Sequence, residues 1–217
     1  MLQNIKAVIL DLDGTLIDSM WIWKHIDIAY FAAKGIEMPR NLQQQIEGMS
    51  MRETATYIKN TFGIQDDEQT MIDTWNQMAL DAYSHQIPFK DGAKAFLEFL
   101  KAQGIKTGIA TSNSRALLHA VAERLNLDSY IDCFLTGNEV AHGKPFPDVY
   151  LEVAHRLAVS PRECLVFEDV LPGIEAGKRA GMKVCAVYDE YTKDVVEEKK
   201  QTADYYIQSY RELLPER

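Results

Sequence analysis

The sequence predicts an α/β fold: an open parallel sheet flanked by helices, with an all-helical cap inserted after the first strand. Three observations point there. Short continuous apolar runs recur along the chain, as strands buried on both faces of a parallel sheet require. Helical patterns alternate with those runs, the arrangement that βα units produce. From about residue 17 to residue 87 the alternation stops, and every pattern is helical.

The first run, Lys6-Ala-Val-Ile-Leu10, ends in acidic residues and reads as a central strand. The insert follows, as helices over Ser19 to Lys34 closed by Gly35, Leu42 to Glu47 closed by Gly48, Met51 to Phe62 closed by Gly63, and Asp67 to Ser84. Ser50 and Glu53 have the spacing of a capping box, with Ser50 as N-cap of the third helix. Met71, Ile72, Trp75, Met78, Ala79 and Ala82 give the fourth an apolar face, so Trp75 is expected in the cap's own core. Strand runs resume at Lys106 to Thr111, Cys133 to Thr136, Cys164 to Phe167, Lys183 to Tyr188 and, more weakly, Tyr205 to Ile207. Helical patterns at Ala95 to Gln103, Leu117 to Leu125 and Asp148 to Leu157 separate them. The chain divides into a core of residues 1–16 and 88–217 and a cap of residues 17–87, hinged near Asp18 and Pro88.

Composition narrows the function classes. With 217 residues, 47% of them hydrophobic and 25% charged, the chain is an ordinary globular protein and not a disordered one. A net charge of −9 gives an average surface that repels nucleic acid and anionic membrane. No apolar stretch approaches the roughly 18 residues of a membrane span. Asp11 and Asp13 interrupt the first apolar run too early for a signal peptide, so the expected location is cytoplasmic. Cys133, Cys164 and Cys185 have no metal or CxxC spacing and read as reduced core thiols. His25, His85, His119, His142 and His155 are dispersed and offer no ligand set.

The chemistry concentrates at strand ends, where ligands bind in an open parallel sheet. Asp11 and Asp13 follow the first strand on one side of an extended segment, and Gly14 allows a sharp exit. Two carboxylates that close repel unless a cation or a proton resolves the conflict. Asp11-Leu12-Asp13-Gly14-Thr15 resembles motif I of the haloacid dehalogenase-like hydrolase superfamily. Three further segments resemble its other motifs in order: Thr111-Ser112-Asn113, Lys144-Pro145, and Glu168-Asp169. Gly173, Ala176, Gly177 and Gly181 fit the small-residue pattern the family has downstream. The resemblance covers essentially the whole chain and implies a Rossmann-like core with a helical cap of the phosphoglycolate phosphatase and β-phosphoglucomutase branch.

It also implies roles. Asp11 is the nucleophile that forms an aspartyl-phosphate, and Asp13 is the acid and base that also offers its main-chain carbonyl to a metal. Thr111, Ser112 and Asn113 cradle the phosphoryl group, Asn113 being equally suited to cap a helix, and Lys144 neutralises nucleophile and phosphate. Asp169 binds the metal, and Glu168 is either a second metal carboxylate or a structural one. An all-oxygen set of this kind suits Mg²⁺. The acid at position 13 argues for phosphate esters over halides, because a halide leaves without a proton.

The function expected is Mg²⁺-dependent hydrolysis of a small phosphate monoester such as a sugar phosphate. The partner is then a small phosphorylated metabolite, with no nucleic acid and no membrane, and a monomer is compatible with the sequence. The alternative is a phosphosugar mutase of the β-phosphoglucomutase type, which Gly48-Met-Ser-Met-Arg52 resembles at its cap loop. That enzyme's hinge histidine falls where this chain has Trp23, and its cap lysine has no counterpart between Thr70 and Ile87. A catalytically idle binding module is the remote alternative. Trp23, just after motif I, is expected near the site, while Arg52 is expected to be an exposed helical arginine.

Overall fold

The computed structural model describes residues 1–215. Six parallel strands form one sheet in the order β3-β2-β1-β4-β5-β6. They are β1 (Ala7–Leu10), β2 (Lys106–Thr111), β3 (Cys133–Thr136), β4 (Cys164–Glu168), β5 (Lys183–Val187) and β6 (Tyr205–Ile207). β1 is central and wholly buried, its Ala7 in register with Lys106 on one side and Cys164 on the other. Successive strands run outward from β1 toward β3 and from β4 toward β6, so the order reverses between β1 and β4. The crevice beyond their carboxyl ends is where such sheets bind ligands.

Four helices leave from the end of β1 and return before the next strand: α1 (Met20–Ala33), α2 (Leu42–Ile46), α3 (Met51–Phe62) and α4 (Glu68–His85). The Ser50–Glu53 capping box is formed in both directions, and Gly63 ends α3 in the left-handed conformation. Asp67 caps α4 by accepting from the Thr70 N–H. The outgoing and returning segments pair: Ile17 bridges antiparallel to Phe89, and the Asp18 N–H donates to the Pro88 carbonyl at 3.0 Å.

The remaining helices cover the sheet: α5 (Ala93–Ala102), α6 (Arg115–Leu125), α7 (Asp148–Arg156), α8 (Leu171–Arg179) and α9 (Val196–Thr202). One apolar core runs from Phe96, Leu117 and Phe167 without a break into the inserted helices at Ile26, Phe31 and Trp75. A second, with Val149, Tyr150 and Ile174, lies on the other face of the sheet.

Helix limits differ from the sequence-based ones by one or two residues, as caps and fraying lead one to expect. Two helices escape the periodicity altogether. α8 carries Pro172 in its first turn and glycines on its sheet side, where a Cβ at Gly177 would lie 2.7 Å from Val184. α9, Val-Glu-Glu-Lys-Lys-Gln-Thr, buries only Lys199. A helix that packs through glycine or through lysine leaves no apolar stripe to read. The three cysteines are buried and unpaired, as expected. No helix among the described residues is long and apolar enough to cross a membrane.

Candidate active site

Asp11 follows β1 directly, held by its own N–H donating to Phe167 O on β4 at 3.0 Å. Its carboxylate meets Lys144, whose Nζ donates to Asp11 Oδ1 at 2.5 Å and also to Glu168 Oε1. All three groups are nearly or fully buried. Glu168 ends β4, and its oxygens are fully used. Oε1 accepts from Lys144 and, at 2.7 Å, from the Tyr150 hydroxyl on α7. Oε2 accepts from the main-chain N–H groups of Asp169 and Val170 at 3.0 and 3.2 Å. These contacts tie the carboxylate to Lys144 and to the turn after β4.

Asp169 differs. Its Oδ1 accepts from Thr15 Oγ1 at 2.6 Å, but Oδ2 is buried with no partner among the described residues. A Cβ at position 14 would fall on that oxygen, and Gly14 has φ of 77°. The main-chain carbonyl of Asp169 is tied down from behind, by Thr192 Oγ1 at 3.1 Å and by Lys199 Nζ at 2.9 Å. Lys199 is completely buried and donates also to Val187 O and Thr192 Oγ1.

Carboxylate oxygens of Asp11, Glu168 and Asp169 lie within 4.8 Å of one another. Burial raises the Asp11 carboxyl to about 8 against the pull of Lys144. Burial, then the charges of Glu168 and Asp11, hold Asp169 well above the usual carboxylate range. Such a cluster is stable when ionised only if a cation joins it. The orphaned Asp169 Oδ2 and the all-oxygen donor set fit a hard divalent ion such as Mg²⁺.

The second aspartate has its own cage. Asp13 Oδ1 accepts from Ser19 Oγ at 2.6 Å and from the Tyr83 hydroxyl, while Oδ2 accepts from Asn113 Nδ2 at 2.9 Å. Tyr83, wholly buried on α4, accepts in turn from Trp23 Nε1 at 2.9 Å. Burial, then the Asp13 charge, pushes its phenol well above its ordinary value, so it stays a donor. Asn113 therefore holds Asp13 and does not cap α6; Ser114 does, accepting from the Leu117 N–H. Thr111 Oγ1 accepts from the Asn113 N–H at 3.0 Å and orders that turn. Ser112 faces the insert, its Oγ donating to Gly48 O at 3.1 Å and its carbonyl accepting from Met51 N–H at 3.2 Å. Glu53, besides its capping role, accepts from Gly143 N–H at 3.1 Å, next to Lys144.

The expected residues thus come together around a cavity of about 210 Å³, lined from the sheet side by Asp11, Asp13, Thr111, Ser112, Asn113, Lys144 and Asp169. Glu168 lies behind Lys144. From the insert, Trp23, Asp27, Gln43, Glu47 and Trp75 line the other side, so Trp75 serves both the insert's core and the cavity. Arg52 is exposed, as expected. Sequence reasoning missed Tyr83, Tyr150, Ser19 and Lys199, and gave Thr15 a place in motif I but no role. Tyr83 had a signal, four residues beyond Ala79 on the apolar face of α4; Lys199 had none.

A family model described as haloacid dehalogenase-like hydrolase matches residues 8–187. The chain is 31% identical to a phosphorylated carbohydrates phosphatase of Thermotoga maritima, over 82% of this chain and 83% of that one. Its structure resembles that of CbbY from Rhodobacter sphaeroides in complex with phosphate, with a TM-score of 0.83, 23% identity and 96% of each chain covered. It also resembles a β-phosphoglucomutase from Clostridium difficile, with a TM-score of 0.82, 22% identity and coverage of 97% and 93%. At those identities the two structures speak for the fold.

Proposed function

The chain belongs to the haloacid dehalogenase-like hydrolases, and from that premise we propose that it is a Mg²⁺-dependent phosphatase of small phosphate monoesters, of the sugar-phosphate kind its Thermotoga relative is named for. The observation that carries the reading is the buried meeting of Asp11, Lys144 and Asp169, with Asp13 caged alongside.

In this reading Asp11 attacks phosphorus in line, Lys144 neutralises it, and an aspartyl-phosphate forms as the leaving alkoxide departs. Asp13, aimed by Ser19, Tyr83 and Asn113, gives the alkoxide its proton. It then takes one from the water that hydrolyses the acyl phosphate. Thr111, Ser112 and the N–H groups of their turn receive the phosphoryl oxygens, together with Lys144. Mg²⁺, held by Asp11, Asp169 and the Asp13 carbonyl, supplies charge neutralisation on the phosphoryl group when bound. Glu168 and Tyr150 keep Lys144 in place. Residues 17–87 act as the cap over a core of 1–16 and 88–217, a division supported by the pairing of Ile17 with Phe89.

Two features favour hydrolysis over phosphosugar isomerisation. Trp23 stands at the hinge position and binds Tyr83, so it offers no titratable group there. No lysine or arginine of the insert lines the cavity to receive the second phosphate of a bisphosphate intermediate. The test is phosphate release from a panel of phosphorylated metabolites with and without Mg²⁺, using wild type and Asp11→Asn. Metal-dependent turnover that vanishes in Asp11→Asn is the expected result. Retained turnover in that variant would overturn the covalent route, and β-glucose 1-phosphate converted to glucose 6-phosphate with little phosphate release would overturn the choice of hydrolysis.

A further inference from the structure

The cap side of the cavity has a chemical character of its own. Asp27 on α1 is 8% exposed, and its carboxylate accepts from Gln43 Nε2 on α2. Both line the cavity, and Glu47 adds a second carboxylate. Burial pushes Asp27 and Glu47 each up to about 7, the usual effect of a partly dry, acid-rich wall on a carboxyl. Trp23 and Trp75 line the same cavity. Trp75, which lines the cavity, is 3% exposed, and its Nε1 is a buried donor with no acceptor among the described residues. Against this, the only lysine or arginine lining the cavity among the described residues is Lys144, already shared between Asp11 and Glu168.

Such a wall sorts ligands. A buried donor without a partner is costly and is relieved by any ligand oxygen that can accept. A carboxylate beside a carboxamide accepts from and donates to hydroxyl groups, and aromatic rings suit the C–H face of a polyol. A second phosphate would instead meet two carboxylates and no cation, an arrangement that selects against such a ligand by repulsion. We propose that Asp27, Gln43 and Trp75 form a leaving-group subsite that reads the hydroxyls of a singly phosphorylated polyol and excludes a substrate carrying a second phosphate. The inference rests on the phosphatase reading, since it assigns the part of the substrate that the phosphoryl site leaves over.

Binding can be read without turnover. Calorimetry on Asp11→Asn protein with Mg²⁺ would compare glucitol 6-phosphate, fructose 1,6-bisphosphate and p-nitrophenyl phosphate. We expect glucitol 6-phosphate to bind at least tenfold tighter than the bisphosphate, and Asp27→Asn to narrow that gap at least threefold. Trp75→Phe keeps a ring and loses the donor. It should lower the affinity for glucitol 6-phosphate relative to p-nitrophenyl phosphate at least fivefold, whereas a merely structural defect would weaken both alike and leave the ratio. Equal or tighter binding of the bisphosphate, or an unmoved ratio in Trp75→Phe, overturns the proposal. Wild-type turnover of p-nitrophenyl phosphate is scored separately. Its absence counts against the phosphatase reading, while the binding order still decides the subsite.

Discussion

Replacing Lys144 by Met tests whether the buried charges are as interdependent as their geometry implies. The side chain of Lys144 is 3% exposed, and it separates Asp11, 9% exposed, from Glu168, which is not exposed at all. Removing one partner of a buried ion pair typically costs about 3–5 kcal/mol, because the other charge is left uncompensated. For a chain of this size each kcal/mol moves the melting temperature by about 2–4 °C, so Lys144→Met should melt about 6–20 °C below wild type. The two carboxylates should not suffer equally. Glu168 keeps the Tyr150 hydroxyl and two main-chain N–H groups, whereas Lys144 is the only side-chain donor to Asp11 among the described residues. Adding Asp11→Asn to Lys144→Met should therefore recover more stability than adding Glu168→Gln. The assay is thermal unfolding by circular dichroism in chelator at pH 9, above the value of about 8 at which Asp11 ionises in the fold, on the two double variants and the single one. A single variant within about 2 °C of wild type, or a larger rescue by Glu168→Gln, would refute the reasoning.

Asp11 sets a pH dependence. Its folded value of about 8, against an ordinary 3.8 in the unfolded chain, means the native state keeps a proton the unfolded chain has released between those limits. Stability from this group is present at low pH and lost as pH rises toward 8. Metal-free protein should melt lower at pH 8 than at pH 6, and Asp11→Asn should flatten that slope. Gly14→Ala puts a methyl on Asp169 Oδ2 at a φ of 77°, which alone costs an L-residue about 1–2 kcal/mol. The variant should lose the rise in melting temperature that Mg²⁺ gives wild type; an undiminished rise would move the ion away from Asp169. Tyr83→Phe removes a hydrogen bond to a carboxylate, worth about 1.5–3 kcal/mol. Turnover of alkyl phosphates should then fall more than that of p-nitrophenyl phosphate, whose leaving group needs no proton, and equal losses would show that Tyr83 does not serve Asp13.

How much of this could be read from the chain depends on where each group sits. Asp11, Thr111 and Glu168 fall at the ends of apolar strand runs, so the runs announce both the sheet and the crevice at its edge. Ser50 and Glu53 are legible because a capping box is a local, four-residue contact. The role of Asn113 is not, because its choice between capping α6 and holding Asp13 depends on Tyr83, thirty residues away. Tyr83 and Tyr150 look like ordinary members of apolar faces, and only the fold turns their hydroxyls toward carboxylates. Lys199 is the extreme case: in a run of Glu and Lys, the one lysine that is buried carries no local mark.

The antiparallel contact of Ile17 with Phe89 means that the chain leaves the sheet and comes back at neighbouring points. Everything between is a detour that the sheet's own connectivity does not need, so natural or laboratory grafting can exchange it and leave the strands in register. The substitute must still meet one condition. α4 packs on α6, and Leu117, Leu118 and Val121 belong to the core shared with the detour. A graft that lacks an apolar face for α6 would uncover that strip and invite aggregation. On the proposed reading of residues 17–87 as the cap, new substrate preferences could be borrowed from a donor, provided the donor brings a counterpart of α4 with it.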